Sequence, residues 1–329
     1  MREAMLTAPL GDDVLGDDPT VLALQAKTAA LVGMEDALFV PSGTMGNQVA
    51  LVTHCRPGDA VLFEEEAHMV FYEAGAPGAF AGVVCRTVPS ESGRMDPSEI
   101  RRRVMTRSYH TPGTTLLCVE NTHNRGCGAA LAPDLLWQYR EIADETGMRM
   151  HLDGARVFNA AVALKVTVAE LCTPFDTVSV CLSKGLGAPV GSVLCGPKEF
   201  IEEARYVRKR FGGGMRQSGL LAAVGIYCLD HMIDRLAEDH ARARGVATVL
   251  QDIPGVTVDV SKVETNMVMV DTVAPAAQWC DALATEGIRA LPFGPNRIRL
   301  VFHHQVTDAG AERCVRAFRS LAESGRIYS

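Results

Sequence analysis

Lysine is scarce in this sequence. Only six occur, Lys27, Lys165, Lys184, Lys198, Lys209 and Lys262, so chemistry that needs an amine nucleophile has few places to find one. Long apolar runs are also missing. The longest, residues 220–229, is too short to span a bilayer, and residues 1–12 hold no apolar core of the kind a secretory signal needs. There is no excess of positive charge. The net charge of −7 leaves no electrostatic footprint for nucleic acid, so neither nucleic acid nor membrane is expected as a partner. The ten cysteines form no C-x-x-C pair and no repeated spacing, which argues against a zinc site or a disulfide framework. Cys118, Cys181 and Cys195 lie in apolar runs and read as reduced core residues of a cytoplasmic protein. The chain also lacks a Gly-Lys-Ser/Thr phosphate loop and a G-x-G-x-x-G dinucleotide fingerprint.

What is present is a large apolar complement, 47% of 329 residues, enough for two domains. Short, largely aliphatic runs at 37–40, 60–63, 82–85, 115–119, 149–152, 177–181 and 192–195 read as buried strands. Helical patterns at 19–32, 47–54 and 133–146 alternate with them. Such alternation predicts an α/β fold with a mostly parallel central sheet. After residue 229 the pattern changes. A long helical stretch over 217–250 is followed by strands at 256–260, 266–270, 288–291 and 298–302, a helix at 275–286 and a last helix from Asp308. This is a smaller α+β unit, and the expected division is 1–235 and 236–329. No repeat or low-complexity linker is present, and Gly212-Gly213-Gly214 is the one conspicuous flexible point.

Lys184 stands out among the six lysines. It follows the apolar run Val178-Ser179-Val180-Cys181-Leu182 and opens a glycine-rich turn. A lysine at the carboxyl end of a buried strand suits Schiff-base chemistry, because burial favours the free amine that attacks a carbonyl. A lysine snorkelling from a strand end gives the same pattern. Asp153, thirty-one residues earlier, ends another strand in His151-Leu152-Asp153-Gly154-Ala155-Arg156. In a parallel sheet both residues open onto one crevice. A carboxylate there can keep a pyridine nitrogen protonated and make the ring an electron sink, although Asp153 also reads as a helix N-cap. Pro41-Ser42-Gly43-Thr44-Met45-Gly46-Asn47 follows a strand and opens a helix, where free amides, a small residue and two hydroxyls can cradle a phosphate.

Five ordered segments complete the pattern: Gly11-Asp12-Asp13-Val14-Leu15-Gly16-Asp17-Asp18-Pro19-Thr20, Glu120-Asn121-Thr122-His123-Asn124, His151-Leu152-Asp153-Gly154-Ala155-Arg156, Ser183-Lys184-Gly185-Leu186-Gly187 and Gly212-Gly213-Gly214-Met215-Arg216-Gln217. Together they resemble the low-specificity L-threonine aldolases, and the resemblance covers essentially the whole chain. It implies a pyridoxal-phosphate enzyme of the aspartate-aminotransferase-like fold, fold type I. It also implies retro-aldol cleavage of L-threonine or L-allo-threonine to glycine and acetaldehyde, in a homodimer or homotetramer with sites at subunit interfaces. On that resemblance Lys184 carries the cofactor, Asp153 pairs with its ring nitrogen, Gly43 and Thr44 hold its phosphate, and Arg216 lies nearby. His68 stacks on the ring and His123 stands near the substrate hydroxyl. Arg156 and Arg299 grip the carboxylate of the β-hydroxy amino acid, a task suited to the planar guanidinium fork. Arg297 is the neighbouring alternative to Arg299, and the base for the β-hydroxyl is His68, His123 or a water between them.

Two departures stand against the resemblance. Family members usually begin earlier, with a segment resembling Asp-Leu-Arg-Ser-Asp-Thr-Val-Thr whose serine helps hold the substrate. This sequence starts beyond that point, and a misplaced start is the preferred explanation. Leu15 stands where a tyrosine is common. Other readings are a β-elimination, racemisation or transamination on the same scaffold, and a catalytically impaired homologue. A metal hydrolase built on His151-x-Asp153 or His303-His304 has little support, and no metal is expected.

Overall fold

The structure is a computed structural model and describes residues 1–324. The chain divides into two units. The larger comprises 1–126 and 130–234, and the smaller 127–129 and 235–329.

In the larger unit the apolar runs form one seven-stranded sheet: β1 (Asp36–Val40), β2 (Ala60–Glu64), β3 (Val84–Val88), β4 (Thr114–Glu120), β5 (Arg149–Gly154), β6 (Thr177–Cys181) and β7 (Ser192–Gly196). Their spatial order is β1-β7-β6-β5-β4-β2-β3. β3, β2, β4, β5 and β6 pair in parallel, while β7 runs antiparallel to β6 and β1. Parallel pairing has a direct consequence for function: the carboxyl ends of these strands share one edge, where open α/β sheets place their ligands. Glu64, Glu120 and Asp153 all stand at or near that edge, and Lys184 follows three residues beyond β6.

The helices that frame the sheet are α1 (Pro19–Val32), α2 (Gly43–His54), the single turn α3 (His68–Phe71), α4 (Pro133–Thr146), α5 (Val157–Leu164), α6 (Lys198–Arg210) and α7 (Gly219–His231). α1 starts at Asp18, whose side chain accepts from the amides of Thr20 and Val21, and ends at Gly33 in the left-handed conformation. The aspartates of the 11–20 segment are structural. Asp13 makes a buried ion pair with Arg208 at 2.8 Å, Asp12 pairs with Arg216 at 2.7 Å, and Asp18 also accepts from the amide of Gly219 at 2.9 Å. Arg208 and Gln25 protect the outer strand β1: the Phe39 carbonyl accepts from Arg208 and the Phe39 amide donates to Gln25.

Several boundaries differ from those expected. α2 begins at Gly43 rather than residue 47, because the Ser42 hydroxyl caps it by accepting from the Met45 amide at 3.2 Å. The strand expected at 82–85 is β3, at 84–88. It lies at the sheet edge, with Cys85 exposed, because it has a neighbour on one side only. The helical stretch over 217–250 is two helices, α7 and α8 (Leu236–Leu250). No glycine or proline marks the break, and it falls where the two units divide.

The smaller unit has an antiparallel sheet of β8 (Val256–Thr257), β9 (Met267–Thr272), β10 (Leu291–Gly294) and β11 (Arg297–Val301), ordered β8-β9-β11-β10. α8, α9 (Ala276–Thr285) and α10 (Asp308–Ser324) supply the rest of its core, in which Trp279 stacks on Phe318 at 5.4 Å. The segment 127–129 belongs here, and the Thr265 hydroxyl donates to the Gly128 carbonyl at 2.7 Å. No helix among the described residues is long and apolar enough to cross a membrane. All ten cysteines are free, and nine are buried.

Candidate active site

The loop after β6 is closed by its own backbone. The Leu182 amide donates to Gly191, Ala188 to Leu182 and Gly187 to Lys184. This fixes Lys184 half-buried at the sheet edge, and its amine has no hydrogen-bond partner among the described residues. Asp153 is buried at the end of β5. One carboxylate oxygen accepts from the Asn47 side-chain amide at 2.8 Å and the other from the Ala155 amide at 3.1 Å. Lys184 and Asp153 occupy one neighbourhood. Both act electrostatically on His68, and both act with Arg156 on Cys181, whose thiol burial pushes up.

The start of α2 belongs to the same neighbourhood. A Cβ on Gly43 would stand 2.7 Å from Cys181 Sγ. Glycine is therefore needed at this position to let the helix approach the sheet, and the close approach is to Cys181 rather than to a ligand. With Ser42 occupied by the Met45 amide, the first-turn amides of Gly43 and Thr44 are left without intrahelical partners, as at any helix start.

His68 opens α3 and is partly exposed. Its Nδ1 lies 3.0 Å from Glu73, a buried carboxylate that also accepts from Asn47 at 2.9 Å and Gln48 at 2.6 Å. Burial alone would lower the His68 pKa, and Lys184 works in the same direction. The carboxylates of Glu73, Asp153 and Glu120 outweigh both and hold it above the ordinary histidine value. The His68 backbone amide donates to Glu120 at 2.8 Å. Ligand atoms of His68, Glu73 and Asp153 lie within 4.8 Å of one another, close enough to hold a metal ion. Asn47, however, aims its two amide hydrogens at the two carboxylates, which suits a hydrogen-bond network better. His151 has both ring nitrogens engaged, by Asn47 and Thr177, and His303-His304 lie beyond the end of β11, so neither motif offers the metal site considered from the sequence.

His123 is held by its protein neighbours. It is 1% exposed and both its nitrogens are in use: Nε2 lies 2.8 Å from Glu64, and Nδ1 accepts from the Gly126 amide at 3.0 Å. Burial lowers its pKa, and Glu120 and Glu64 more than compensate, so it is raised above the ordinary histidine value. Glu64 also accepts from the Ser90 hydroxyl at 2.8 Å. Ser90 belongs to a hairpin (Ser90–Glu91, Arg94–Met95) whose Gly93, at φ +84°, presses on His123; a Cβ there would meet His123 Cγ at 2.4 Å. A histidine packed in this way has no nitrogen to offer a substrate hydroxyl.

The three arginines lie on different elements. Arg156 follows β5 beside the Lys184 neighbourhood. Arg216 is exposed and paired with Asp12. Arg299 lies on β11 of the smaller unit, its guanidinium 4.5 Å above the Phe293 ring, whereas Arg297 makes a two-pronged contact with Asp271. Sequence reading gave no individual role to Asn47 and Glu120, which it quoted within motifs, and missed Gln48, Glu64 and Glu73. The signal for Glu64 and Glu120 was available, since each ends an apolar strand just as Asp153 does.

Comparison with known proteins follows this geometry. Residues 1–273 match the family model described as beta-eliminating lyase. A low-specificity L-threonine aldolase 1 of Arabidopsis thaliana is 42% identical over 97% of this chain and 91% of its own. A low specificity L-threonine aldolase of Escherichia coli strain K12 is 42% identical over 82% of this chain and 80% of its own. The chain belongs to the L-threonine aldolases of the beta-eliminating lyase family. The fold is wider than the family. A threonine aldolase structure from Leishmania major superposes with a TM-score of 0.80 at 21% identity, covering 93% of this chain and 91% of that one. A serine palmitoyltransferase from Sphingomonas wittichii superposes with 0.77 at 17%, covering 98% and 82%. Both neighbours agree with the fold type I architecture expected from the sequence. Threonine aldolases depend on pyridoxal phosphate, and the donor set here fits that cofactor: an amine at Lys184, a buried carboxylate at Asp153 and helix-end amides at Gly43 and Thr44.

Proposed function

We propose that this threonine aldolase cleaves L-threonine and L-allo-threonine to glycine and acetaldehyde, with Lys184 as the point of cofactor attachment. The observation that carries the site assignment is that Lys184 and Asp153, from successive strand ends, act on the same two side chains, His68 and Cys181. Gly43 and Thr44 would hold the phosphate and Asp153 the ring nitrogen. When bound, pyridoxal phosphate supplies an electron sink for the pair released from the Cα–Cβ bond.

The rest follows from side chains. In this reading Arg156 binds the substrate carboxylate, with Arg299 as its partner in that task. His68 donates from Nδ1 to Glu73, which leaves Nε2 bare to take the proton of the β-hydroxyl. His123 has no bare nitrogen and is assigned to packing. Arg216 is retained as a cofactor contact. A homodimer or homotetramer with shared sites is supported by the aromatics near His68, since Phe71 and Tyr72 are exposed and Phe71 lies under Arg125 at 4.5 Å. A cytoplasmic location is supported by ten unpaired cysteines.

The test is direct. Borohydride-reduced protein should carry its modification on Lys184 by mass spectrometry, and Lys184→Ala should lose both visible absorbance and acetaldehyde production from threonine. Modification at another lysine, or turnover by Lys184→Ala, would refute the assignment. Pyruvate and ammonia in place of acetaldehyde would mean β-elimination.

A further inference from the structure

Behind Asp153 runs a chain of polar side chains, buried except for the half-buried His54 at its far end, that the reaction above does not use. Asn47 Nδ2 donates to Asp153 at 2.8 Å and to Glu73 at 2.9 Å. His151 Nε2 lies 3.2 Å from Asn47 Oδ1, His151 Nδ1 lies 2.9 Å from the Thr177 hydroxyl, and that hydroxyl lies 2.8 Å from His54 Nε2.

The direction of every bond in this chain follows from its end. Carboxylates only accept, so the Asn47 amide nitrogen must face Asp153 and Glu73, and its oxygen must face His151. His151 therefore bears its proton on Nε2. Burial pushes the pKa of His151 down to about 4 and that of His54 to about 3, so each ring is neutral and carries one proton. The bare Nδ1 of His151 then accepts from the Thr177 hydroxyl, whose oxygen accepts from His54 Nε2. Reversing any link would place two acceptors or two donors face to face in a dry interior. A flipped Asn47 would set its oxygen against both carboxylates.

We propose that His54, Thr177, His151 and Asn47 form a one-way hydrogen-bond relay that orients Asp153 as a carboxylate toward the cofactor ring, with Asn47 as the terminal positioning residue. The proposal rests on the reading of Asp153 as the ring partner. Each Asp153 oxygen takes one donor from the protein, Asn47 or Ala155, and each keeps lone-pair capacity for the ring nitrogen. Removing the Thr177 hydroxyl deprives His151 Nδ1 of its donor. If the ring answers by moving its proton to Nδ1, its bare Nε2 meets Asn47 Oδ1 and drives the amide away from Asp153. The effect of Thr177 thus reaches the cofactor through two intervening residues.

The experiment compares Asn47→Ala, Thr177→Val, Thr177→Ser and Asp153→Ala as holoenzymes. It reads the dissociation constant of pyridoxal phosphate, kcat and KM for threonine, and ring-nitrogen shifts in ¹⁵N-histidine-labelled protein. Supporting residues of bound groups typically contribute about tenfold or more when lost. Asn47→Ala should weaken cofactor binding by that factor and lower kcat more than it alters KM. Thr177→Val should weaken binding less, and Thr177→Ser should restore it. His54 and His151 should each show a protonated Nε2 and a bare Nδ1. If Asn47→Ala and Thr177→Val bind cofactor as the parent does while Asp153→Ala does not, the relay is overturned and the reading of Asp153 stands. If Asp153→Ala also binds normally, that reading falls with it. A Thr177→Val variant that melts lower but keeps the parental dissociation constant has lost only packing, and that too overturns the relay. A proton on Nδ1 of His151 would do the same. Should Asn47→Ala fail to fold, the Val and Ser pair at Thr177 still decides.

Discussion

Adding one methyl group at Gly43 tests the geometry of the proposed phosphate cradle and its chemistry together. In Gly43→Ala the new Cβ would stand 2.7 Å from Cys181 Sγ, against an optimal non-bonded separation of about 3.5–4.0 Å. The sulfur cannot easily retreat. Cys181 is buried in β6, and its Sγ accepts from the Ser192 hydroxyl at 3.2 Å. Overpacking of this kind costs about 1–3 kcal/mol. Against it stands the helix preference of alanine over glycine, at most about 1 kcal/mol in a helix interior and smaller at the first helical position. A net loss of about 1–2 kcal/mol is expected, which lowers the thermal midpoint of a unit this size by about 2–8 °C. The helix start must also shift, so cofactor affinity should fall in step. Thermal unfolding with and without cofactor measures the first effect, and absorbance titration with pyridoxal phosphate the second. Cys181→Ala supplies the control. It opens space for the methyl, so the double variant should exceed the sum of the singles by about 0.5 kcal/mol or more. A Gly43→Ala protein that melts with its parent, or a double variant showing no relief, would refute the contact and with it the placement of α2.

Other outcomes follow from the same structure. His68 has its pKa raised, so its contribution to stability is fully present below the ordinary histidine value and fades as pH rises through the folded value. As a base it must be neutral, so the acid limb of kcat/KM should lie above that ordinary value and move to lower pH in Glu73→Gln; a limb that stays in place means His68 is not the base. Asp13→Ala strands the buried Arg208 and should cost about 3–5 kcal/mol in denaturant unfolding, whereas Asp12→Ala, which removes an exposed pair, should unfold close to its parent. Gly93→Ala combines a left-handed backbone, about 1–2 kcal/mol, with a clash against His123. It should destabilise clearly more than Gly147→Ala, where φ is also positive but no atom lies within 4 Å. Equal effects at the two glycines would argue against the packing of His123.

The sheet, and the position of Lys184 and Asp153 at its carboxyl edge, were legible because their signals are local: short aliphatic runs form strands, and residues just past them fall at one edge. The network around them was not. Glu64 opens a run of three glutamates, yet it is buried and holds His123 and Ser90, both distant in sequence. Glu73 sits in an unremarkable stretch and acquires its role only when α2 brings Asn47 and Gln48 against it. The surroundings of His123 were hidden for a related reason: the motif around it does not reveal that Gly93 packs on the ring and Gly126 donates to its Nδ1. The break between α7 and α8 carries no residue that periodicity reading could have used.

One feature of the crevice narrows the reaction chemistry by elimination. Four buried carboxylates gather at this edge, and each has at least two donors. Asp153 takes Asn47 and Ala155, Glu73 takes Asn47, Gln48 and His68, Glu64 takes His123 and Ser90, and Glu120 takes the amides of His68 and Asn124. With their oxygens turned to these donors, the four carboxylates have fewer free lone pairs to offer a substrate proton. The histidines divide in the same way: His123 and His151 have both nitrogens bonded, and His68 has one. Among the described residues of this crevice, Lys184 Nζ and His68 Nε2 are the basic nitrogens left without a partner. An amine that can hold an aldehyde and an imidazole that can take a hydroxyl proton are the two functions retro-aldol cleavage requires of the protein. Replacing His68 should therefore remove cleavage of β-hydroxy amino acids while leaving exchange of the glycine α-proton, which needs Lys184 but no β-hydroxyl base. Deuterium incorporation into glycine, measured alongside acetaldehyde release, separates the two, and equal loss of both in His68→Ala would contradict the assignment.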